Sequence, residues 1–336
     1  MKSLLVLALS FILACPARAH SDLEEHGSPR ERAPDNWTKF EWPKMKAVLF
    51  GQYAPTEEEL ELIDRAVPKK PTAKPAKERR ILVFYRCLYP HTAIATACET
   101  FERIGASTGA YTAVISDNPA DFTSENLKSF DAVLLNNTVN YDKIIGEKGK
   151  QAILDFVRSG KGLIGIHAAS DAAKDWKEGA EMMGGIFGGH PWLPNGNWAF
   201  QLETPDHPIN AGFKGKGFWL RDEIYSYRSG TFSRSRSRVL VGLDLSRDEN
   251  RNSPELHKDQ RNVAQNAKEH PVSWIHQFGG GRVFYTSFGH RNTVYWNAPV
   301  LQHMLDGIQF ALGDLEGSTT PSDDLEDVEI APAPEK

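Results

Sequence analysis

The sequence predicts an α/β protein built on a mostly parallel sheet, with helices on both faces and an added antiparallel hairpin. Short apolar runs alternate with segments of helical periodicity between residues 80 and 313. Near the end of this region, the glycines at 279–281 separate two further apolar runs. The alternation is typical of a parallel sheet covered by helices, and a glycine turn between two strands is typical of a hairpin.

The individual elements are predicted as follows, in chain order. The continuous apolar run at 81–86 indicates a strand that is buried on both faces. Helical spacing at 92–106 and 146–160 alternates with further strands, which we predict at 111–116, 131–137 and 162–167. The second half is predicted to contain a strand at 238–244, the hairpin within 271–290 and a last helix at 299–313.

The segments on either side of this core differ from it in composition. Residues 20–79 are predicted to be an N-terminal extension with a Pro/Lys-rich linker, and they include a short helix that begins at Thr56 with a capping-box pattern. Residues 314–336 are acidic and poor in large apolar side chains, so we predict a disordered tail there. Residues 80–313 are the predicted α/β domain.

Residues 1–19 have the features of a signal peptide. Lys2 precedes an apolar run, and an Ala-x-Ala cleavage pattern follows at 17–19. We therefore expect export to the periplasm or secretion, with lipid attachment at Cys15 as the alternative. The apolar run is shorter than the roughly 20 residues that span a bilayer, and no later run is long enough, so no transmembrane segment is predicted.

Charge and motif content exclude two classes of partner. The formal net charge of -5 over 336 residues is unlike the basic surface that nucleic-acid binding requires. The glycine-rich stretch at 184–192 lacks the Gly-Lys-Ser/Thr ending of a phosphate loop, so no nucleotide cofactor is expected. Cys87 and Cys98 show no metal-binding spacing and are predicted to be two buried thiols.

Histidines follow three of the predicted strands. His91 comes after the first strand, His167 directly after the fourth, and His290 after the last hairpin strand. In open α/β sheets, ligands bind beyond the carboxyl ends of the strands, so we expect at least two of these three imidazoles to share a pocket. The alternative is that each histidine bonds locally, for example at the start of a helix.

His190 and Glu223 extend this candidate set. His190 lies in the glycine-rich stretch, and Glu223 follows Asp222 between aromatic residues. Histidines with a carboxylate are the usual ligands of zinc and similar divalent metals, and they also act as general acids and bases. We therefore predict a divalent metal site formed by His91, His167, His190 and His290, and a catalytic set formed by His167, His290 and Glu223.

Several short motifs, taken together, resemble the trehalose-utilisation (ThuA-like) family. They are GIHAASD at 165–171, GGHP at 188–191, DHPI at 206–209, DEIYSY at 222–227 and GGGRVFYTSFGH at 279–290, preceded by YRCLYPHTAI at 85–94. The resemblance implies a flavodoxin-like fold similar to that of class I glutamine amidotransferases. Those enzymes carry a cysteine at the sharp turn where this chain has His167, so glutaminase activity is not expected.

The resemblance also implies a role in sugar metabolism, with trehalose-like disaccharides and their oxidised keto forms as small-molecule partners. The residues expected to bind such a substrate lie in the candidate loops, and they are His91, Asn137, Asp171, Trp192, Tyr225 and Arg291. Tyrosine and tryptophan rings stack on sugars, although packing within the core is the alternative for each of them.

Three functional hypotheses are compatible with these residues. The first is an exported hydrolase, isomerase or lyase of sugars that uses the histidine site. The second is a sugar-binding protein without catalysis, because the sharp turn lacks a nucleophile. The third is an amidohydrolase with Ser170 as nucleophile, and it is disfavoured because Ser170 lies three residues beyond the turn.

Overall fold

The computed structural model describes residues 23, 25, 28, 39–326 and 328–336. The predicted signal peptide, including Cys15, lies outside the described residues. The helices are α1 (Trp42–Gln52), α2 (Glu57–Ala66), α3 (Ile94–Thr108), α4 (Ser124–Leu127), α5 (Tyr141–Arg158), α6 (Lys177–Met183), α7 (Glu249–Asn252), α8 (Arg261–Asn266) and α9 (Ala298–Ala311). The strands are β1 (Arg80–Phe84), β2 (Thr112–Ser116), β3 (Ala132–Asn136), β4 (Gly162–Ile166), β5 (Phe187–Trp192), β6 (Asn197–Leu202), β7 (Phe218–Arg221), β8 (Ile224–Tyr227), β9 (Arg238–Leu243), β10 (Pro271–Phe278) and β11 (Gly281–Thr286).

Within the described residues, the main sheet has nine strands in the order β2-β1-β3-β4-β11-β10-β9-β6-β7. Strands β2, β1, β3, β4 and β11 pair in parallel, and the remaining neighbours pair antiparallel. The predicted fold class is therefore confirmed, and β10 and β11 form the predicted hairpin. The antiparallel part is larger than predicted, because β9, β6 and β7 extend the sheet and β5 pairs with β8 in a separate ribbon.

The parallel strands are covered on both faces, as their apolar sequences predict. Alternate side chains of a strand point to opposite faces of the sheet. Val133 of β3 accordingly packs in one cluster with Ile153 of α5, and Leu134 packs in another with Leu305 of α9. All four side chains are fully buried, and each side chain of this kind stabilises the fold by about 1.5–3 kcal/mol.

The segments outside this core also make defined contacts. In the predicted disordered tail, Ala331 forms two backbone hydrogen bonds with Leu202 at the end of β6, and the Ala333 N–H donates to Asp244 Oδ2 at 3.0 Å. The structure thus differs from the predicted disorder of 314–336. Backbone pairing with a sheet needs no large apolar side chains, so the composition of the tail did not indicate it.

Two smaller predictions concern cysteines and membrane helices. Cys87 and Cys98 are both buried and free of disulfide bonds. In the described part of the chain, no helix combines the length and the apolar character needed to cross a membrane.

The Pro/Lys-rich linker lies against α9 through a buried carboxyl group. The Thr72 N–H donates to Gln309 Oε1 at 2.8 Å, and the Thr72 hydroxyl donates to Asp306 Oδ1. Gln302 Nε2 also donates to Asp306 Oδ1, at 2.8 Å. Burial raises the pKa of Asp306 to about 7.

In the wild-type protein, the free energy of unfolding is expected to fall as pH rises, because Asp306 is buried. Replacing Asp306 by asparagine should remove this decrease. An unfolded aspartate ionises near pH ~3.9, whereas folded Asp306 keeps its proton to about pH 7. The folded state therefore binds more protons between these values, and its stability falls with rising pH. Urea unfolding of both proteins at pH 4 to 8 measures this difference. If the free energy of unfolding changed with pH in the same way in both proteins, the prediction would be wrong.

Candidate functional site

The carboxyl ends of β1, β4 and β11 lead to three histidines that lie side by side. The ring centroids of His91 and His167 are 5.1 Å apart, those of His91 and His290 are 5.4 Å apart, and those of His167 and His290 are 5.2 Å apart. The rings meet edge to face. The structure thus brings together the three histidines that follow predicted strands.

Glu223 completes a group of four side chains that could hold a metal ion. One ligand atom from each of His91, His167, His290 and Glu223 lies within 4.8 Å of the others. Glu223 Oε2 is 3.5 Å from His167 Nε2 and 3.7 Å from His290 Nε2. Three imidazole nitrogens and one carboxylate oxygen form a donor set that suits zinc and similar metals.

His167 is held by the turn that follows β4. Its φ of 46° is in the left-handed region, which costs a non-glycine residue about 1–3 kcal/mol. Its Nδ1 lies 2.7 Å from the Ser287 carbonyl oxygen and donates the hydrogen bond, because that oxygen only accepts. In the neutral ring, Nε2 therefore carries the lone pair that faces Glu223.

The Nε2 atom of His167 is the strongest sign that this group has a ligand. It is buried and has no hydrogen-bond partner within the described part of the chain. Its lone pair points to a carboxylate oxygen 3.5 Å away, and two such atoms repel unless a proton or a cation lies between them. The residues present therefore fit a bound metal ion.

Burial keeps the histidines of this group in the form that binds metals. Desolvation lowers the pKa of His167 and of His290 to about 3, and it lowers the pKa of His91 well below its usual value. A neutral imidazole has the free lone pair that coordination requires. No proton has to leave these rings when a cation binds near neutral pH.

Asp222 positions the loop that carries His290. Its Oδ2 accepts the Gly289 N–H at 2.7 Å, and its Oδ1 accepts the Arg291 N–H at 2.9 Å. Gly289 has a φ of 129°, and a Cβ there would lie 2.7 Å from the Tyr295 hydroxyl. Only glycine allows this close approach, so the loop is fixed on both sides of His290.

The β5–β8 ribbon brings two more functional groups to the strand ends. His190, on β5, has Nδ1 3.6 Å from Glu223 Oε1, and its ring stacks on Phe187. Tyr225, on β8, has its hydroxyl oxygen 3.1 Å from His91 Nε2 and its ring centroid 4.2 Å from that of His167. The ribbon therefore forms one side of the site.

A cleft of about 550 Å³ opens onto this group. His91, His190, Glu223, Tyr225 and His290 line it, as does the predicted substrate-binding residue Asp171. Sequence reasoning missed the seven other lining residues, which are Tyr89, Pro90, Thr92, Val139, Asn140, Lys174 and Phe187. Each is a single residue in a loop or ribbon, without a pattern that would indicate a site.

Three predicted substrate-binding residues lie outside the lining of the cleft. Trp192 is fully buried, and its indole N–H donates to the Asn250 carbonyl at 2.8 Å. Asn137 is also fully buried, and Arg291 donates to the Pro194 carbonyl at 3.2 Å. Trp192 is two residues after His190, so a regular strand would place both side chains on one face. The pairing of β5 is irregular here, and this rule therefore does not apply.

Ser170, the nucleophile of the third hypothesis, is fully buried and accepts a hydrogen bond from the Tyr285 hydroxyl at 3.1 Å. It does not line the cleft. The turn after β4 instead directs His167 towards the other histidines.

The fold and the site together define an α/β protein with a histidine–carboxylate site at the carboxyl ends of its parallel strands. The chain belongs to the ThuA family, described as trehalose utilisation, because the family model matches residues 80–311. This membership supports a carbohydrate-related role and fits a small-molecule sugar partner.

Two solved structures are similar to this chain, and the first of them shows the same fold. A ThuA-like protein from Bacteroides uniformis is 18% identical with a TM-score of 0.56, over 71% of this chain and 94% of that one. A second ThuA-like protein, from Parabacteroides merdae, is 15% identical with a TM-score of 0.47, over 75% of this chain and 98% of that one. No curated protein matches the chain.

Proposed function

We propose that this protein is an enzyme that acts on a sugar or keto-sugar with a divalent metal ion held by His91, His167, His290 and Glu223. The family supports the substrate class. The observation that carries the metal is the unpartnered, buried Nε2 of His167 among three further ligand atoms. His190 was predicted as a ligand, and in this proposal it is left outside the metal-binding group.

The residues of the site divide into two roles in this proposal. A bound metal would supply positive charge that polarises a substrate oxygen or lowers the pKa of a water molecule. His190 is about one-third exposed and lines the cleft beside Glu223, so it is the imidazole available to exchange a proton with the substrate. Tyr225 orients His91 through the contact with Nε2.

Turnover measurements test this proposal. The purified protein is loaded with zinc and incubated with trehalose, other disaccharides and their 3-keto derivatives. Release of a reducing sugar would indicate hydrolysis, a new ultraviolet-absorbing enone would indicate elimination, and a changed sugar without bond cleavage would indicate isomerisation. We expect one of these products, its loss after chelation and its recovery with zinc. No turnover of any of these sugars by the zinc-loaded protein would contradict the proposal.

A sugar-binding protein without catalysis is the second candidate. The end of β4 and the turn after it favour this candidate, because neither contains a serine, threonine or cysteine nucleophile; the residues are Gly165, Ile166, His167, Ala168 and Ala169. In that case a sugar would raise the melting temperature of the protein while no product forms. The same panel of sugars therefore separates the two candidates.

We also propose that the protein is exported, on the basis of the signal-like sequence at 1–19. Cell fractionation followed by sequencing of the mature N-terminus tests this. A chain that starts at His20 supports cleavage by signal peptidase, and a lipid on Cys15 supports the anchored form. A full-length chain in the cytosol would exclude both.

A further inference from the structure

His167 has a backbone conformation that its neighbours must maintain. Its φ of 46° lies in the left-handed region, and a non-glycine residue stays there only when surrounding contacts hold it. A return to an ordinary conformation would change the direction of the side chain, because the backbone determines where Cβ points. The position of His167 Nε2 therefore depends on contacts that fix the turn after β4.

Tyr285, on β11, makes one of these contacts. Its hydroxyl donates to the His167 carbonyl oxygen at 2.8 Å, and the same hydroxyl lies 3.1 Å from Ser170 Oγ in the turn. Tyr285 is fully buried, and its ring stacks on Trp274 with the two ring centroids 4.2 Å apart. Packing thus fixes the ring, and the hydroxyl holds the backbone of His167 against β11.

Tyr295 makes the same kind of contact with the loop that carries His290. It is fully buried, and its hydroxyl donates to the Gly289 carbonyl oxygen at 3.1 Å. Gly289 directly precedes His290 and lies against the end of β4, since a Cβ at Gly289 would be 2.9 Å from Ile166 Cγ2 and 3.6 Å from His167 Cβ. This hydrogen bond therefore fixes the loop of His290 relative to the turn of His167.

Both tyrosines act on the main chain and not on a ligand. Neither of them lines the cleft, and each hydroxyl donates to a carbonyl oxygen of a candidate metal ligand or of the residue before one. A buried carbonyl that loses its donor is costly, so the loop would shift towards another partner. A shifted histidine would leave the group of four ligand atoms, which lie within 4.8 Å of one another.

We propose that Tyr285 and Tyr295 are positioning residues, which hold His167 and His290 in the arrangement that binds the metal ion. This inference rests on the proposed function, because it concerns the metal affinity of the same site. The two hydroxyl groups act independently of the bound ion, since both hydrogen bonds are already present in the structure. The ligand atoms are thereby brought together before a metal arrives.

The zinc affinities of Tyr285→Phe and Tyr295→Phe in the full-length protein test the inference. Each variant keeps the aromatic ring and loses only the hydroxyl, so the fold should be retained. In competition titrations with a chelator, each should bind zinc about 10–100-fold more weakly than the wild type, as is typical when a group that orients a metal ligand is lost. With cobalt in place of zinc, the visible absorption spectrum should also change, because it reports the geometry of the ligands.

Tyr111→Phe is the matched control, because Tyr111 is buried and its hydroxyl donates to the Phe101 carbonyl at 3.0 Å, outside the lining of the cleft. Urea unfolding of the metal-free proteins should show a similar loss of stability in all three variants. Only the control should keep the zinc affinity and cobalt spectrum of the wild type. Wild-type zinc affinity in either Tyr285→Phe or Tyr295→Phe, or an equal loss of affinity in the control, would overturn the inference but not the proposed function. A wild-type protein that binds neither metal would refute both.

Discussion

Replacing His167 by alanine is expected to lower the zinc affinity of the purified protein by more than about 100-fold, since losing a residue that only orients a ligand already costs about 10–100-fold. His167 is fully buried, and its Nε2 is a candidate ligand atom that has no hydrogen-bond partner among the described residues. Without this imidazole, two histidines and Glu223 remain. Competition titration with a chelator measures the affinity directly, and turnover should fall with it.

Two further variants test whether the loss of zinc affinity is specific to the four candidate ligands. Glu223→Gln is nearly isosteric and removes the anionic ligand, so it should also lose zinc while the fold is retained. His207→Ala removes another buried histidine, which does not line the cleft and whose Nδ1 accepts the Ile209 N–H. This control should bind zinc like the wild type. Wild-type affinity in both His167→Ala and Glu223→Gln would show that the four residues hold no metal.

Replacing Asp222 by alanine is expected to destabilise the folded protein by about 2–6 kcal/mol, because one buried and one partly buried N–H group lose their acceptor and each loss costs about 1–3 kcal/mol. Those groups belong to Gly289 and Arg291. The loop then has no fixed position for His290, so zinc affinity should also fall at least tenfold. Urea unfolding and zinc titration measure the two effects on the same protein.

Asp244→Ala is the matched control for this experiment. Asp244 is equally buried, and it accepts N–H groups of Ala333 and Ser246 outside the cleft. Its loss should destabilise the fold by a similar amount and leave zinc affinity unchanged. Asp222→Asn, which keeps one acceptor oxygen, should be intermediate in stability. If Asp222→Ala retained the full zinc affinity, Asp222 would have no role in positioning His290.

The parallel part of the fold could be predicted closely because its strands are continuous apolar runs. The run predicted at 131–137 is a strand at Ala132–Asn136, and the one predicted at 162–167 is Gly162–Ile166. The β5–β8 ribbon was missed for the opposite reason. Its first strand contains two glycines and a proline, and its pairing is irregular, so neither apolar alternation nor composition indicates a strand.

The same difference explains which site residues the sequence indicated. His91, His167 and His290 follow strand ends, so the topology of the sheet alone places them together. Lys174 and Tyr89 reach the cleft through the local course of their loops, which no residue pattern records. Trp192 was expected at the site and lies in the core, since its neighbours in the sequence do not determine which way its ring points.

The four candidate ligands are spread from residue 91 to residue 290, and each follows or precedes a different strand. An ion bound to all of them would act as a cross-link between β1, β4, β8 and β11 that forms only after the whole domain has assembled. Free metal at 100 times its dissociation constant would then add about 2.7 kcal/mol to the stability of the native state. Metal supply would thereby influence how long the protein survives proteolysis, as well as what it does to a sugar.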